Sequence, residues 1–340
     1  MSVNIDNNSI LFKNGPLAGR TLHPLWLRER LTDEKNLDPN NFQRLYEPSL
    51  LDKDIFIKEF SQDETYLTIK FSDGETGIFI IKDLLKEINQ HDVIPNKISW
   101  EHNIKKLPYH NYESFNNSSD LTVEMLKDFH SLGFVIITNL SKKKGTVIDF
   151  AESLGPVRST NFGKHFDVIS KPNPNDLAYT GLGLSAHADN PYRKPIPGIQ
   201  LLHCISNEAN GGDSTLVDGL AVANYLKKNE KHYFDILTST EILFRFTDKD
   251  VVLENWGKLI ELNVNQNFKQ IRFSGRLDYV PLMDPEKLTI FYQARKKLYE
   301  LCSSKNFVIN FRLDSGMLMM FDNHRLLHGR TKYDPNSGYR

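Results

Sequence analysis

Hydrophobic and polar residues alternate along several short stretches near the start of the chain, as expected of strands that bury one face. The clearest stretch is 66–71, which is followed by a Ser-Asp-Gly turn at 72–74 and a second apolar stretch at 77–81. Alternation on both sides of a short turn predicts a β-hairpin. We therefore predict a small β-rich α+β domain over residues 1–98, followed by a crossing between domains at 99–112.

Helical spacing of apolar residues begins near residue 119 and continues to residue 132. Ser119 or Asp120 is placed to cap this predicted helix, and Gly133 is placed to end it. Residues 134–137 then predict a buried strand, and residues 145–154 predict a second helix.

Short apolar runs separated by glycine and proline dominate the rest of the sequence, apart from a predicted helix pair over 222–239 and a helix over 284–303. This pattern favours a β-sandwich or a jelly-roll barrel. The predicted fold class is therefore mainly β with flanking helices, and the second domain covers residues 99–340.

Composition places the chain among folded globular proteins. Its 340 residues are 39% hydrophobic and 25% charged, and this length suits one large domain plus a smaller one. The net charge of -1 gives no indication of a nucleic-acid partner or an anionic membrane. We expect a small-molecule substrate.

Cysteine content and hydropathy bear on the compartment. The two cysteines, Cys204 and Cys302, cannot build a disulfide framework, and neither lies in a Cys-x-x-Cys pair. The sequence has neither a basic stretch followed by an apolar one at its start nor an apolar run of about 18 residues. We therefore expect a cytoplasmic protein that does not bind a membrane.

Two histidines and a carboxylate are candidate metal ligands. Iron that binds both a cosubstrate and O2 needs a ligand set that leaves adjacent positions open, and two histidines plus one carboxylate provide this. His187 and Asp189 are two residues apart, so on an extended strand both side chains point to the same side. A His-x-Asp triplet alone is weak evidence, because such a pair is usually found at the surface.

The second histidine and a cation are found near the end of the sequence. An apolar strand predicted at 316–321 ends in a polar turn that carries His324 and His328. An arginine could hold the far carboxylate of 2-oxoglutarate through two parallel hydrogen bonds. Arg330 and Arg340 are the nearby candidates, although a single arginine is more often a solvated surface charge.

Three blocks of sequence occur in order: AYTGLGLSAHADNPYRKPIPGIQLLHC, GGDSTLVDG and FDNHRLLHGR. Together they resemble the taurine dioxygenase superfamily, most closely its γ-butyrobetaine hydroxylase and trimethyllysine hydroxylase branch. The resemblance runs from about residue 121 to residue 340. It also includes LHPLWLRERL near the start, which is similar to the small N-terminal domain of that branch.

The resemblance implies a double-stranded β-helix core and a dioxygenase that uses Fe(II), 2-oxoglutarate and O2 to hydroxylate an unactivated carbon. It assigns His187, Asp189 and His328 as the catalytic iron ligands. It also assigns Arg340 and Ser214 to the 2-oxoglutarate site. His324 falls where relatives often have an aromatic residue and is not expected to be a ligand.

The resemblance also suggests a trimethylammonium substrate, because such groups are bound by aromatic cages. Phe162, Phe166 and Tyr179 occupy positions similar to cage residues, although Phe162 and Phe166 are equally well explained as core. Asn190 and Asp176 depart from the hydroxylase pattern at substrate-binding positions. A phosphonate, sulfonate or amino acid is therefore an alternative substrate, and desaturation, cyclisation or C–N cleavage is an alternative reaction. A catalytically silent binding protein is a more remote alternative.

The two ends of the sequence differ from the branch. Some relatives bind zinc in the N-terminal domain through cysteines, and here the stretch after LHPLWLRERL has none, so no zinc is expected. The branch often forms homodimers, and the N-terminal domain is a candidate for that contact. In relatives, further elements follow the arginine that matches Arg340, so either the sequence is part of a longer chain or its end is short.

Overall fold

The computed structural model describes residues 3–6, 9–89, 94–169 and 180–338. The chain forms two compact units, Met1–Ile94 and Pro95–Arg340. Among the residues described, each unit has hydrophobic cores built from its own side chains, one in the first unit and three in the second.

The described part of the first unit contains two small antiparallel sheets. Their strands are β1 (Val3–Asp6), β2 (Ser9–Phe12) and β3 (Thr21–Leu22) in one sheet, and β4 (Ile57–Gln62), β5 (Tyr66–Phe71) and β6 (Thr76–Ile80) in the other. Helices α1 (Pro24–Arg28) and α2 (Ile81–Ile88) and a 3-10 turn (Pro48–Leu50) complete it.

The hairpin predicted over 66–81 is confirmed by the pairing of β5 with β6. Its second strand ends one residue earlier than predicted, because Ile81 begins α2. Ile81 and Leu84 are both buried, and their spacing of three places them on one face of that helix. Packing of this face against the first unit's core explains the change from strand to helix.

The second unit is mainly β with helices around it. Its helices are α3 (Tyr112–Phe115), α4 (Ser119–Leu132), α5 (Thr146–Leu154), α6 (Gly219–Asn229), α7 (Lys231–Ser239) and α8 (Pro285–Ser303). Its strands are β7 (Tyr109–Asn111), β8 (Phe134–Thr138), β9 (Leu184–His187), β10 (Ile199–His203), β11 (Ser214–Asp218), β12 (Glu241–Asp248), β13 (Val251–Lys258), β14 (Ile260–Leu262), β15 (Phe268–Ile271), β16 (Asp278–Tyr279), β17 (Val308–Phe311), β18 (Leu318–Asp322) and β19 (Leu326–Arg330).

Two four-stranded sheets organise this unit, in the orders β10-β18-β8-β7 and β17-β11-β19-β9. The pairs are antiparallel except for β7 with β8. Strands distant in sequence are neighbours in both sheets, as in a jelly roll. The predicted class, mainly β with flanking helices, is confirmed.

The helices predicted in this unit are present, with one correction at a cap. Ser118 caps α4 by accepting a hydrogen bond from the backbone N–H of Leu121, whereas Ser119 or Asp120 was predicted to do so. Ser118 has an extended backbone, which an N-cap residue requires, and Ser119 is already helical. Gly133 ends α4 in the left-handed region, as predicted.

Two segments differ from the sequence predictions. The predicted crossing at 99–112 contains the buried side chain of Trp100. It ends in β7, which is the edge strand of the sheet β10-β18-β8-β7. The predicted polar turn after residue 321 carries only His324, because a new strand, β19, begins at Leu326 and includes His328. Leu326 and Leu327 are fully buried, which favours that strand.

A buried ion pair fixes the start of β19. Arg325 donates from Nε and Nη2 to the two carboxylate oxygens of Asp218, at 2.9 and 2.8 Å, and both side chains are buried. Asp218 also caps α6 through the N–H of Leu220. Bidentate geometry with further hydrogen bonds compensates two buried charges. Among the described residues, no helix is both long and apolar enough to cross a bilayer.

Candidate metal centre

The two histidines of the predicted metal site face each other across neighbouring strands. His187 is the last residue of β9, and His328 lies opposite it on β19 in the antiparallel register. Their ring centroids are 4.4 Å apart, and both residues are more than nine-tenths buried. Register between two strands therefore brings together residues that are far apart in sequence.

The position of Asp189 does not come from the strand, in contrast to the sequence prediction. Strand β9 ends at His187, and Asp189 lies in the loop that follows. The side-chain oxygen of Asn323 accepts a hydrogen bond from the Asp189 N–H at 2.8 Å. The Asn323 amide also donates to the carbonyl oxygens of Asp189 and Pro197, at 3.0 and 2.9 Å. Asn323 is fully buried and therefore holds the backbone that carries the carboxylate.

The three side chains converge on one point. Nε2 of His187 lies 3.3 Å from Oδ1 of Asp189, and Nε2 of His328 lies 3.6 Å from Oδ2. One potential ligand atom from each of the three residues lies within 4.8 Å of the other two. This spacing suits three bonds to a single metal ion.

Hydrogen bonds orient the side chains of His187 and Asp189. Nδ1 of His187 lies 2.9 Å from the carbonyl oxygen of Ser185. A carbonyl oxygen only accepts, so Nδ1 carries the proton and the lone pair of Nε2 points to the centre. Gln200 donates to Oδ2 of Asp189 at 2.5 Å, which fixes the second oxygen of the carboxylate.

Electrostatics favours the protonation states that a metal requires. Burial lowers the pKa of His328 to about 4, and the neighbouring His187 and Arg276 lower it further. Burial alone would raise the pKa of Asp189, but the adjacent imidazoles of His328 and His187 and the hydrogen bond donated by Gln200 hold it well below its usual range. Near pH 7 the site therefore offers a neutral imidazole and an ionised carboxylate, and both are ligand forms.

The donor set fits Fe(II). Two imidazoles and one carboxylate on one side of a metal are the ligand pattern of non-haem iron oxygenases, and they leave positions open for a cosubstrate and O2. Cysteine, which would favour zinc, is absent from this group. The residues present are therefore suited to iron.

Aromatic rings form a row that begins in the loop after Asp189, which we call the aromatic row: Phe166, Phe162, Phe246 and Tyr192. Successive ring centroids are 5.7, 5.6 and 5.1 Å apart. At one end the hydroxyl of Tyr192 donates to Asn190 at 2.6 Å, directly after Asp189 in the sequence. At the other end Phe162 and Phe166 are 38% and 53% exposed. The row therefore joins the loop after Asp189 to rings that are partly exposed to solvent.

The remaining predicted site residues have different placements. Ser214 is buried at the start of β11, opposite Arg330 on β19. It therefore shares a face with His328, two positions away. His324 is no part of the triad, because its Nε2 lies 3.1 Å from the carbonyl oxygen of Ile196. Three other predicted residues lie outside the described residues: Asp176, Tyr179 and Arg340.

Sequence reasoning missed several residues that support or border the site: Tyr192, Arg193, Gln200, Phe246 and Asn323. Tyr192 and Arg193 follow Asp189 closely in the sequence, and an aromatic next to a cation so near a ligand could have marked them. Asn323 belongs to the block FDNHRLLHGR, but the sequence there predicts a polar turn and gives no sign of a role at the site. Phe246 lies on β12, far along the chain from the predicted site residues.

Comparison with known proteins identifies the relatives. Residues 102–340 match the family described as "Taurine catabolism dioxygenase TauD, TfdA family". The chain is 28% identical over 326 residues to the γ-butyrobetaine dioxygenase of Pseudomonas sp. (strain AK-1), covering 94% of this chain and 85% of that protein. It is 30% identical over 331 residues to the γ-butyrobetaine dioxygenase of Pongo abelii, covering 92% and 84%.

A solved structure shows the same fold. The crystal structure of AAD-2 in complex with Mn(II) and N-oxalylglycine superposes with a TM-score of 0.52 and 16% identity, covering 71% of this chain and 95% of that one. This likeness confirms the predicted jelly-roll core. The resemblance stated from the sequence blocks is likewise confirmed. The chain thus belongs to the TauD/TfdA family and is an Fe(II)- and 2-oxoglutarate-dependent dioxygenase.

Proposed function

We propose that His187, Asp189 and His328 hold Fe(II), and that the enzyme hydroxylates a small substrate bearing a trimethylammonium group, such as γ-butyrobetaine. The convergence of two imidazoles and one carboxylate within 4.8 Å carries the proposal for the metal. When bound, Fe(II) together with 2-oxoglutarate and O2 supplies the oxidising power to hydroxylate an unactivated carbon. The chain's own residues bind and orient the reactants.

Arg340 and Ser214 are the proposed partners of 2-oxoglutarate. An arginine makes two parallel hydrogen bonds to a carboxylate, and a hydroxyl adds a third. Support for Ser214 comes from its place on β11, since it shares a face with His328 and is buried. Arg340 is proposed from the order of the sequence blocks alone.

The aromatic row supports a trimethylammonium substrate. A quaternary ammonium cannot donate hydrogen bonds and is attracted to the faces of aromatic rings. Phe162 and Phe166 contact each other and are partly exposed, so ring surface is accessible at this end of the row. We propose Tyr179, Asn190 and Asp176 as further substrate contacts, on the basis of their positions in the sequence. Two relatives named γ-butyrobetaine dioxygenase indicate which compound to test first.

Metal binding and turnover are tested separately. Anaerobic addition of Fe(II) and 2-oxoglutarate should give a weak visible charge-transfer band, and His187→Ala should abolish it. His324→Ala is the matched control, because this histidine bonds to the Ile196 carbonyl instead of the centre. Loss of the band in His324→Ala but not in His187→Ala would overturn the ligand assignment.

The substrate is tested by succinate release in air with a panel of compounds. We expect γ-butyrobetaine or another trimethylammonium compound to raise succinate release above the level with 2-oxoglutarate alone, with a hydroxylated product. The panel also contains sulfonates, phosphonates and amino acids, and product masses distinguish hydroxylation from desaturation, cyclisation or C–N cleavage. A normal charge-transfer band with no response to any trimethylammonium compound would overturn the substrate proposal.

A further inference from the structure

The guanidinium of Arg193 is unusual among the arginines near the site. Its Nε and Nη2 atoms are buried, and neither has a hydrogen-bond acceptor in the part of the chain that the structure describes. Arginines elsewhere in the second unit form ion pairs with carboxylates: Arg245 with Glu254, Arg272 with Glu261, and Arg325 with Asp218. Arg193 therefore needs an acceptor that these described residues do not supply.

The backbone of Arg193 is held close to the metal ligand Asp189. Its N–H donates to the carbonyl oxygen of Asn190 at 3.1 Å, which closes a tight turn. Its own carbonyl oxygen accepts from the side chain of Asn255 on β13 at 2.7 Å. The turn thus begins directly after Asp189 and is fixed at both ends. The Arg193 side chain starts from a defined position next to the centre.

Contact with Tyr192 compensates the charge only in part. The central carbon of the guanidinium lies 5.7 Å from the centroid of the Tyr192 ring. An aromatic face attracts a cation, but it does not accept the directional hydrogen bonds that Nε and Nη2 can donate. A cation with buried, unpaired donors destabilises a protein unless an anion approaches it. The geometry suits an oxoanion, because Nε and Nη2 can donate in parallel to its two oxygens.

Resting on the proposed function, we propose that Arg193 binds an oxoanion of the substrate, a carboxylate or a sulfonate. The substrate would then be a zwitterion. Its anionic group would lie beside Arg193 at the Tyr192 end of the aromatic row, and its ammonium group would lie against the ring faces of the row.

The inference is tested by isothermal titration of the full chain loaded with Mn(II) and 2-oxoglutarate. The probes are γ-butyrobetaine, the corresponding carboxamide, and 3-(trimethylammonio)propane-1-sulfonate. Wild-type protein should bind at least one of the two acids more tightly than the amide, and the acid that is preferred identifies the anion. Arg193→Gln should weaken binding of that acid about 10- to 100-fold and leave the amide within about twofold.

Lys194→Gln is the matched control, since it removes the same charge from an exposed neighbour in the same loop. It should leave all affinities within about twofold. Arg193→Lys should restore only part of the lost affinity, because an ammonium cannot make two parallel hydrogen bonds. Equal weakening by Arg193→Gln and Lys194→Gln, or equal weakening of acid and amide, would overturn the assignment.

The outcomes separate this inference from the proposed function. If trimethylammonium compounds give no turnover, the titration is repeated with simple acids from the panel, such as taurine, and with their uncharged analogues. If an acid is preferred over its uncharged analogue and Arg193→Gln removes that preference, Arg193 binds the anionic group of the substrate. Only the proposal of a trimethylammonium group would then be rejected. If no acid binds better than its uncharged analogue, the proposal that Arg193 binds a substrate oxoanion is wrong, even where turnover is observed.

Discussion

At the scale of single residues, the geometry of the proposed metal centre depends on groups other than the proposed ligands. Asn323 makes three hydrogen bonds to backbone groups, and two of these are to Asp189 itself. Strand β9 has already ended at His187, so the strand does not determine where the carboxylate points. Partners that hydrogen-bond to metal ligands orient them, and their loss typically weakens metal binding by about 10- to 100-fold.

We predict that Asn323→Ala weakens Mn(II) binding about 10- to 100-fold. The substitution leaves the N–H of Asp189 and two carbonyl oxygens without their partner, which should also lower the free energy of unfolding by about 1–3 kcal/mol. Titration followed by electron paramagnetic resonance measures the affinity, and chemical denaturation measures the stability.

Asn36→Ala provides the control for this prediction. Asn36 is also a buried amide, and it bonds to Asp33 and Arg28 in the first unit. Its loss should destabilise the first unit and leave Mn(II) affinity unchanged. Wild-type affinity for Mn(II) in a destabilised Asn323→Ala protein would restrict Asn323 to a structural role.

The proposed metal ligands could be suggested from the sequence, whereas the residues that hydrogen-bond to them could not. The proposed ligands His187, Asp189 and His328, which the structure brings together, could be suggested because few side chains bind iron and their order along the chain is distinctive. Asn323 could not be found in this way, because it holds the backbone of Asp189 only when the 188–197 loop approaches the turn before β19. Tertiary proximity of that kind leaves no periodic pattern in the sequence.

At the scale of elements, the site depends on the close approach of β9 and β19. A side chain at Gly329, next to His328, would put its Cβ atom 2.4 Å from the carbonyl oxygen of Leu184 and 2.8 Å from the hydroxyl of Thr215. The pairing of β9 with β19 is also irregular between His328 and Arg330. Glycine therefore permits the register that brings the two histidines together.

We predict that Gly329→Ala separates these strands, abolishes the Fe(II)–2-oxoglutarate band and lowers the free energy of unfolding by about 1–3 kcal/mol. Backbone atoms form part of the clash, and they cannot rotate away as a flexible side chain can. Absorbance of the anaerobic complex and chemical denaturation measure the two effects. Gly155→Ala is the control, because its Cβ atom would meet nothing within 4 Å, and it should keep the band.

The elements themselves were largely predictable, whereas their junctions were not. The predicted hairpin and helices formed because periodicity and capping residues act locally. The polar turn predicted to carry both His324 and His328 was wrong, since Leu326 and Leu327 are buried by neighbouring strands and β19 begins there. A polar stretch with two buried leucines resembles a turn until its partner strands are known.

At the scale of the whole molecule, the two units have separate hydrophobic cores. The three residues of the metal centre all lie in the second unit, Pro95–Arg340. A ligand that binds only the folded form stabilises the part of the chain that must fold to bind it. Metal binding should therefore stabilise the second unit selectively.

We predict that saturating Mn(II) and 2-oxoglutarate slow hydrogen exchange in the second unit and leave the first unit unchanged. At about 100 times the dissociation constant, the stabilisation is about 2.7 kcal/mol, which corresponds to about 100-fold slower exchange for amides that exchange by unfolding of the unit. Peptides from β9, β11 and β19 should show this protection in mass spectrometry, and peptides from β4, β5 and β6 should not. His187→Ala should remove the protection from the second unit. Equal slowing in β4 to β6 would mean that the units unfold together, despite cores that contain residues of one unit alone.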